Sequence, residues 1–88
     1  PHCTAPNALF FLASELIYIK VWKRSKLRMA EVLPPKKPDD VLYYATVIDK
    51  RFTLTGFKVI VTGTEAVEND VRETSKLLSK FYKKVVCE

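Results

Sequence analysis

Glycine is scarce in this chain. The 88 residues include two, Gly56 and Gly63, so no glycine-rich loop is available to wrap a phosphate. Histidine occurs once, as His2, which removes the histidine pairings on which many hydrolytic and metal-dependent sites rest. Neither Gly-x-Ser-x-Gly nor His-Glu-x-x-His is present. The expectation is a non-enzymatic protein with no catalytic residue, no metal site and no cofactor. Cysteine is equally sparse. Cys3 and Cys87 lie at opposite ends, and one pair is no disulfide framework. Free thiols in a reducing, cytoplasmic compartment are expected. Long apolar runs are missing too. Residues 8–19 are apolar except for Ser14 and Glu15, but about twelve residues fall short of the roughly twenty a membrane helix needs. The cations follow this run instead of preceding it, which argues against a signal peptide.

What the chain does have is apolar bulk and positive charge. Apolar residues make up 48%, enough for a packed core, and the length suits one small domain over residues 1–88. Fifteen basic against ten acidic residues give a net charge of +5, which favours an anionic partner.

Residues 41–63 organise the expected fold. Val41, Tyr43, Ala45 and Val47 alternate with Leu42, Tyr44, Thr46 and Ile48, as in a strand apolar on both faces. Thr55, Phe57, Val59 and Val61 alternate with Gly56, Lys58, Ile60 and Thr62 in a second strand, and Asp49-Lys50-Arg51 would turn between the two. Gly56, inside a strand pattern, suggests a bulge or a close backbone approach. Residues 27–33 form a candidate first strand, closed by Pro34-Pro35. Asn7 can cap a helix from Ala8 to about Tyr18, and residues 16–22 are open to a strand reading with Ile17, Ile19 and Val21 inward. Thr64 opens a second helix to about residue 84, with Val67, Val71, Leu78, Phe81 and Val85 on one stripe. Its acids come first and its lysines last, as the helix dipole favours, and Glu68 sits four residues before Arg72. The predicted fold is α+β: helix, strand, strand, strand, helix, with an antiparallel three-stranded sheet and both helices on one face.

The charge concentrates before the second helix. Lys23, Arg24, Lys26 and Arg28 crowd the approach to the first strand, and Lys50, Arg51 and Lys58 fall on the expected hairpin. Trp22, Tyr43, Tyr44 and Phe52 are interleaved with them. Rings that stack unpaired bases beside cations that hold phosphates suit RNA. The bland alternative makes these rings core and the lysines a solvated rim.

Two family resemblances accompany this reading. Phe10-x-x-Ala13-x-Glu15-x-x-Tyr18, Thr64-Glu65 and Val71-Arg72, in the expected element order, resemble the small Alu-domain subunits of the signal recognition particle. That resemblance implies a ribonucleoprotein subunit, paired in a heterodimer, that holds structured RNA on a basic sheet face. Lys23, Arg24, Lys26, Arg28, Lys50, Arg51 and Lys58 are the candidate contacts. Residues 28–33, Tyr43-Tyr44 and Leu77-Leu78-x-x-Phe81-Tyr82 are similar to chromo and chromoshadow domains, which implies a protein-interaction module instead.

Overall fold

Residues 7–23 fold as a hairpin, not as a helix. The computed structural model describes residues 7–35, 37–53 and 56–88, and in it β1 (Asn7–Leu12) pairs antiparallel with β2 (Ile17–Lys23). Ala8, Phe10 and Leu12 stand opposite Val21, Ile19 and Ile17, and all six are buried. The burial period is two, which the apolar run obscures because its outward residues are apolar as well. Ser14 and Glu15, read as interruptions of a helix, sit in the turn, where the Ala13 N–H donates to the Leu16 carbonyl at 2.9 Å. The strand reading of residues 16–22 is the one the structure adopts, with Ile17, Ile19 and Val21 inward.

β3 (Lys26–Leu33) pairs antiparallel with β2 through a two-residue loop, Arg24-Ser25. Both loop residues have positive φ, 56° and 63°. Such a loop matches the strand twist but favours Asn and Gly, so its usual signature is absent here. An irregularity between Val21 and Trp22 sets Leu27 opposite Trp22 and leaves Arg28 as the extra residue.

The largest correction falls on residues 41–48, which are helical. α1 (Pro38–Phe52) begins with Pro38 in its first turn, beside Asp39 and Asp40, and ends with Lys50 and Arg51. These are helix start and stop signals. They outweigh the alternation of β-branched and aromatic residues, because burying Val41, Ala45 and Ile48 satisfies a helical stripe equally well. Asp49-Lys50-Arg51 is thus the last turn of a helix and not a hairpin tip. Thr53 closes it in the left-handed region, φ 59°, and its N–H donates to the Asp49 carbonyl.

β4 (Lys58–Gly63) follows, then a short 3₁₀ turn at Glu65–Val67, α2 (Glu68–Leu78) and β5 (Val85–Cys87). The second helix is real but shorter than its apolar stripe. Tyr82 is buried beyond its end, while Phe81 points out and Val85 belongs to β5. Thr64 stands at the N-cap position of the 3₁₀ turn without a side-chain capping bond.

The five strands form one mixed sheet in the order β3-β2-β1-β4-β5. β4 runs parallel to β1 and to β5, because each crossover helix carries the chain back before the next strand begins. This sheet replaces the expected antiparallel three-stranded one, and two strands, not a helix, come first. Both helices lie on the face bearing Ala8, Phe10, Leu12, Ile17, Ile19, Val21, Val59 and Val61, and with them close a single core. Gly63 marks the tight point. A Cβ there would strike the Leu12 carbonyl oxygen and come within 2.8 Å of Val71 Cγ2. Gly56, which the strand pattern marked for a close approach, has nothing near it.

Candidate anion-binding end

The topology sorts charge along the strands. β1, β3, β4 and β5 all point one way, and only β2 opposes them. Each helix returns against the strand before it, so both helices place their C-termini where the parallel strands begin. Cations suit helix C-termini, where unpaired carbonyls leave about half a negative charge. Lys50 and Arg51 close α1, and Lys80, Lys83 and Lys84 lie on the connection from α2 into β5. The same end receives the tip of the β2–β3 hairpin, with Lys23, Arg24, Lys26 and Arg28, and the first residue of β4, Lys58.

All seven candidate residues named from the sequence therefore gather at one end of the molecule. They do so by a route unlike the expected hairpin between residues 41 and 63. Lys23 Nζ lies 5.9 Å from the centre of the Phe57 ring, and the Arg51 guanidinium 5.2 Å from that of Phe52. Each contact holds a cation against an aromatic stem. Carboxylates border it as well: Asp49 lies in the last turn of α1, Glu31 shares a hollow with Arg51, and Lys80 lines a groove with Asp39, Asp70 and Glu73. Tyr82 lies buried close by, and its hydroxyl pKa is raised by that burial first and by the charge of Asp49 second. Lys80, Lys83 and Lys84 were legible only as complements to their own helix. Nothing local shows that they share an end with the hairpin tip.

The opposite end is acidic. Glu15, Asp39, Asp40, Glu65, Glu68, Asp70 and Glu88 lie in the loops and helix starts beyond the carboxyl ends of the parallel strands. Ligands of open α/β sheets commonly sit there. A groove of about 350 Å³ opens at that position, lined by Gly63, Thr64, Glu65, Glu68, Val71, Arg72, Cys87 and Glu88. Its carboxylates repel phosphate, and Arg72 is already bonded to Glu68 at 3.0 Å. No cluster able to hold a metal ion occurs among the described residues. Cys87 is exposed and free; Cys3 and His2 lie outside the described residues.

The fold has a precedent. A crystal structure from Bacteroides thetaiotaomicron VPI-5482, described as a protein with actin-like ATPase fold and unknown function, is similar with a TM-score of 0.75 and 20% identity. The match covers 94% of this chain and 32% of that one, so this chain spans about a third of that protein's length. At this identity the likeness is one of fold. No family model matches the chain, and no curated protein matches it significantly.

The residues behind the two family resemblances take new places. Phe10, Ala13, Glu15 and Tyr18 run along the β1–β2 hairpin, Tyr43 and Tyr44 lie on α1, and Leu77 and Leu78 close α2 with Phe81 and Tyr82 just beyond its end. Among the described residues, no helix is long and apolar enough to cross a membrane.

Proposed function

We propose that this chain is a non-enzymatic RNA-binding subunit of a ribonucleoprotein, and that it grips phosphates with its basic end. One observation carries the reading: cations from four segments, the β2–β3 hairpin tip, the end of α1, the start of β4 and the connection into β5, lie at the end where the parallel strands begin. Such a field attracts a polyanion and raises its association rate. A second observation supports it. Arg24 and Ser25 both hold left-handed backbone, which costs about 1–2 kcal/mol per non-glycine residue. Strained positions of this kind concentrate at functional sites, and this one displays an arginine at the hairpin tip. The exposed thiol of Cys87 suits a reducing, cytoplasmic setting.

The test is RNA titration across a salt series. With about six phosphate contacts, affinity should fall on the order of a thousandfold between 50 and 200 mM salt. Lys50→Glu with Arg51→Glu should weaken binding and lower the salt slope by about two units while circular dichroism stays unchanged. Affinity that ignores salt, or a charge-reversed protein that binds as well as wild type, overturns the proposal.

A further inference from the structure

The sheet has a second face that neither helix covers. Register assigns Leu9 and Phe11 of β1, Tyr18 and Lys20 of β2, Val32 of β3 and Ile60 of β4 to it. Tyr18 is 40% exposed and Val32 58%. Phe11 and Tyr18 meet edge to face with ring centres 6.1 Å apart. Beside them Leu9, Phe11, Tyr18 and Lys20 line a shallow hollow of about 260 Å³. Contiguous apolar surface of this kind marks an interaction site. The backbone of β1 and β2 is paired on both sides, so an added strand has nothing to bond to here and only side chains can dock.

Charge selects the occupant. Lys20 stands in the middle of this face, with Leu9 and Ala30 as its cross-strand neighbours, and no described carboxylate bridges it. Glu31 has the opposite orientation along β3, pairing with inward-facing Ile19. A partner that covers the face must desolvate Lys20, which is costly unless it brings a carboxylate. A second copy in a two-fold arrangement would oppose Lys20 with Lys20.

We infer that this face docks an amphipathic helix of a protein partner, whose apolar stripe packs on Phe11, Tyr18, Val32 and Ile60 and whose flanking glutamate or aspartate pairs with Lys20. The docking residues Phe11, Tyr18, Val32 and Ile60 are none of the cations assigned to RNA, although Lys58 of β4 shares their face. The sole tryptophan, Trp22, belongs to the same face and reports on it.

Two synthetic helical peptides with one leucine stripe test this, one flanked by glutamates and the other by lysines. Binding is read by Trp22 fluorescence and by backbone amide shifts of the full chain. The glutamate peptide should bind at least about tenfold tighter and shift the amides of Leu9, Phe11, Tyr18 and Lys20. Lys20→Glu should reverse the preference, and Tyr18→Asp should abolish binding of both while leaving the salt-dependent RNA affinity intact. Three results overturn the inference: equal binding of the two peptides or no binding, single-stranded RNA shifting these amides instead, or sedimentation as a dimer with Trp22 shielded.

Discussion

Phe10 and Phe11 are neighbours in the chain with the same side chain, yet one is fully buried under two helices and the other lies half-covered on the opposite side of the sheet. The pleat alone separates them. Between the covered face and the helices, Ala8, Val21, Val59 and Val61 of the sheet and Val41 and Ala45 of α1 have no solvent exposure, so shape there is constrained atom by atom. On the open face Leu9, Phe11, Tyr18, Val32 and Ile60 are apolar but looser, and Lys20 and Lys58 stand among them. The covered face carries stability, and the open face carries recognition. Hydrophobicity by itself does not tell the two apart.

The sharpest way to break this comparison is to truncate the two phenylalanines in parallel. Phe10→Ala should cost about 3–5 kcal/mol, which approaches the whole stability of a small domain. Phe11→Ala should cost roughly 1 kcal/mol, about half the value of a fully buried side chain, while weakening the docked peptide. Urea unfolding measures both, and equal losses would erase the distinction between faces. Gly63→Ala comes next, at about 1–3 kcal/mol, since the added methyl meets a backbone carbonyl that cannot rotate away. Its midpoint should fall with an unchanged denaturant slope.

A gain should come from Thr74. This residue faces the covered side with no solvent exposure, and its hydroxyl has no hydrogen-bond partner. Thr74→Val keeps the shape and removes the unsatisfied group, so stability should rise by roughly 1 kcal/mol. A loss on substitution would mean that the hydroxyl is satisfied in solution. The smallest effect concerns Tyr82, whose folded pKa is raised by burial and then by Asp49. A pKa raised on folding contributes stability that is whole below the unfolded value of about 10 and fades as pH climbs past it. The difference in thermal midpoint between wild type and Tyr82→Phe should therefore be constant up to about pH 10, and shift against wild type above it.

Some of this was legible in advance. Pro38, Asp39 and Asp40 before residues 41–48, with Lys50 and Arg51 after them, spell a helix. The alternation of β-branched and aromatic residues in the same stretch spells a strand, and burial of Val41, Ala45 and Ile48 decides for the helix. In residues 8–19 the relation is reversed, and a strand hairpin carries a helix-like pattern. Five inward and several outward apolar residues blur period two into an apparent helical stripe, because each face of β1 meets apolar neighbours. The candidate cations were all visible as cations. Their shared location was not, since Lys23, Lys50, Lys58 and Lys84 are separated by long stretches of chain that only the crossovers bring together.

The sequence by itself determined that the chain has core-forming bulk, net positive charge, a strand before Pro34, a helix rich in leading acids, and no sequence pattern for phosphate cradling or hydrolysis. Those properties are local sums or local patterns, and no contact is needed to read them. The tertiary structure decided that the sheet is mixed and five-stranded, that one apolar face is covered and the other open, and that the charges divide between two ends. The physical reason is direction. Two crossover helices must both run back against parallel strands, so two short-range dipole preferences, each written in its own segment, add into one basic pole.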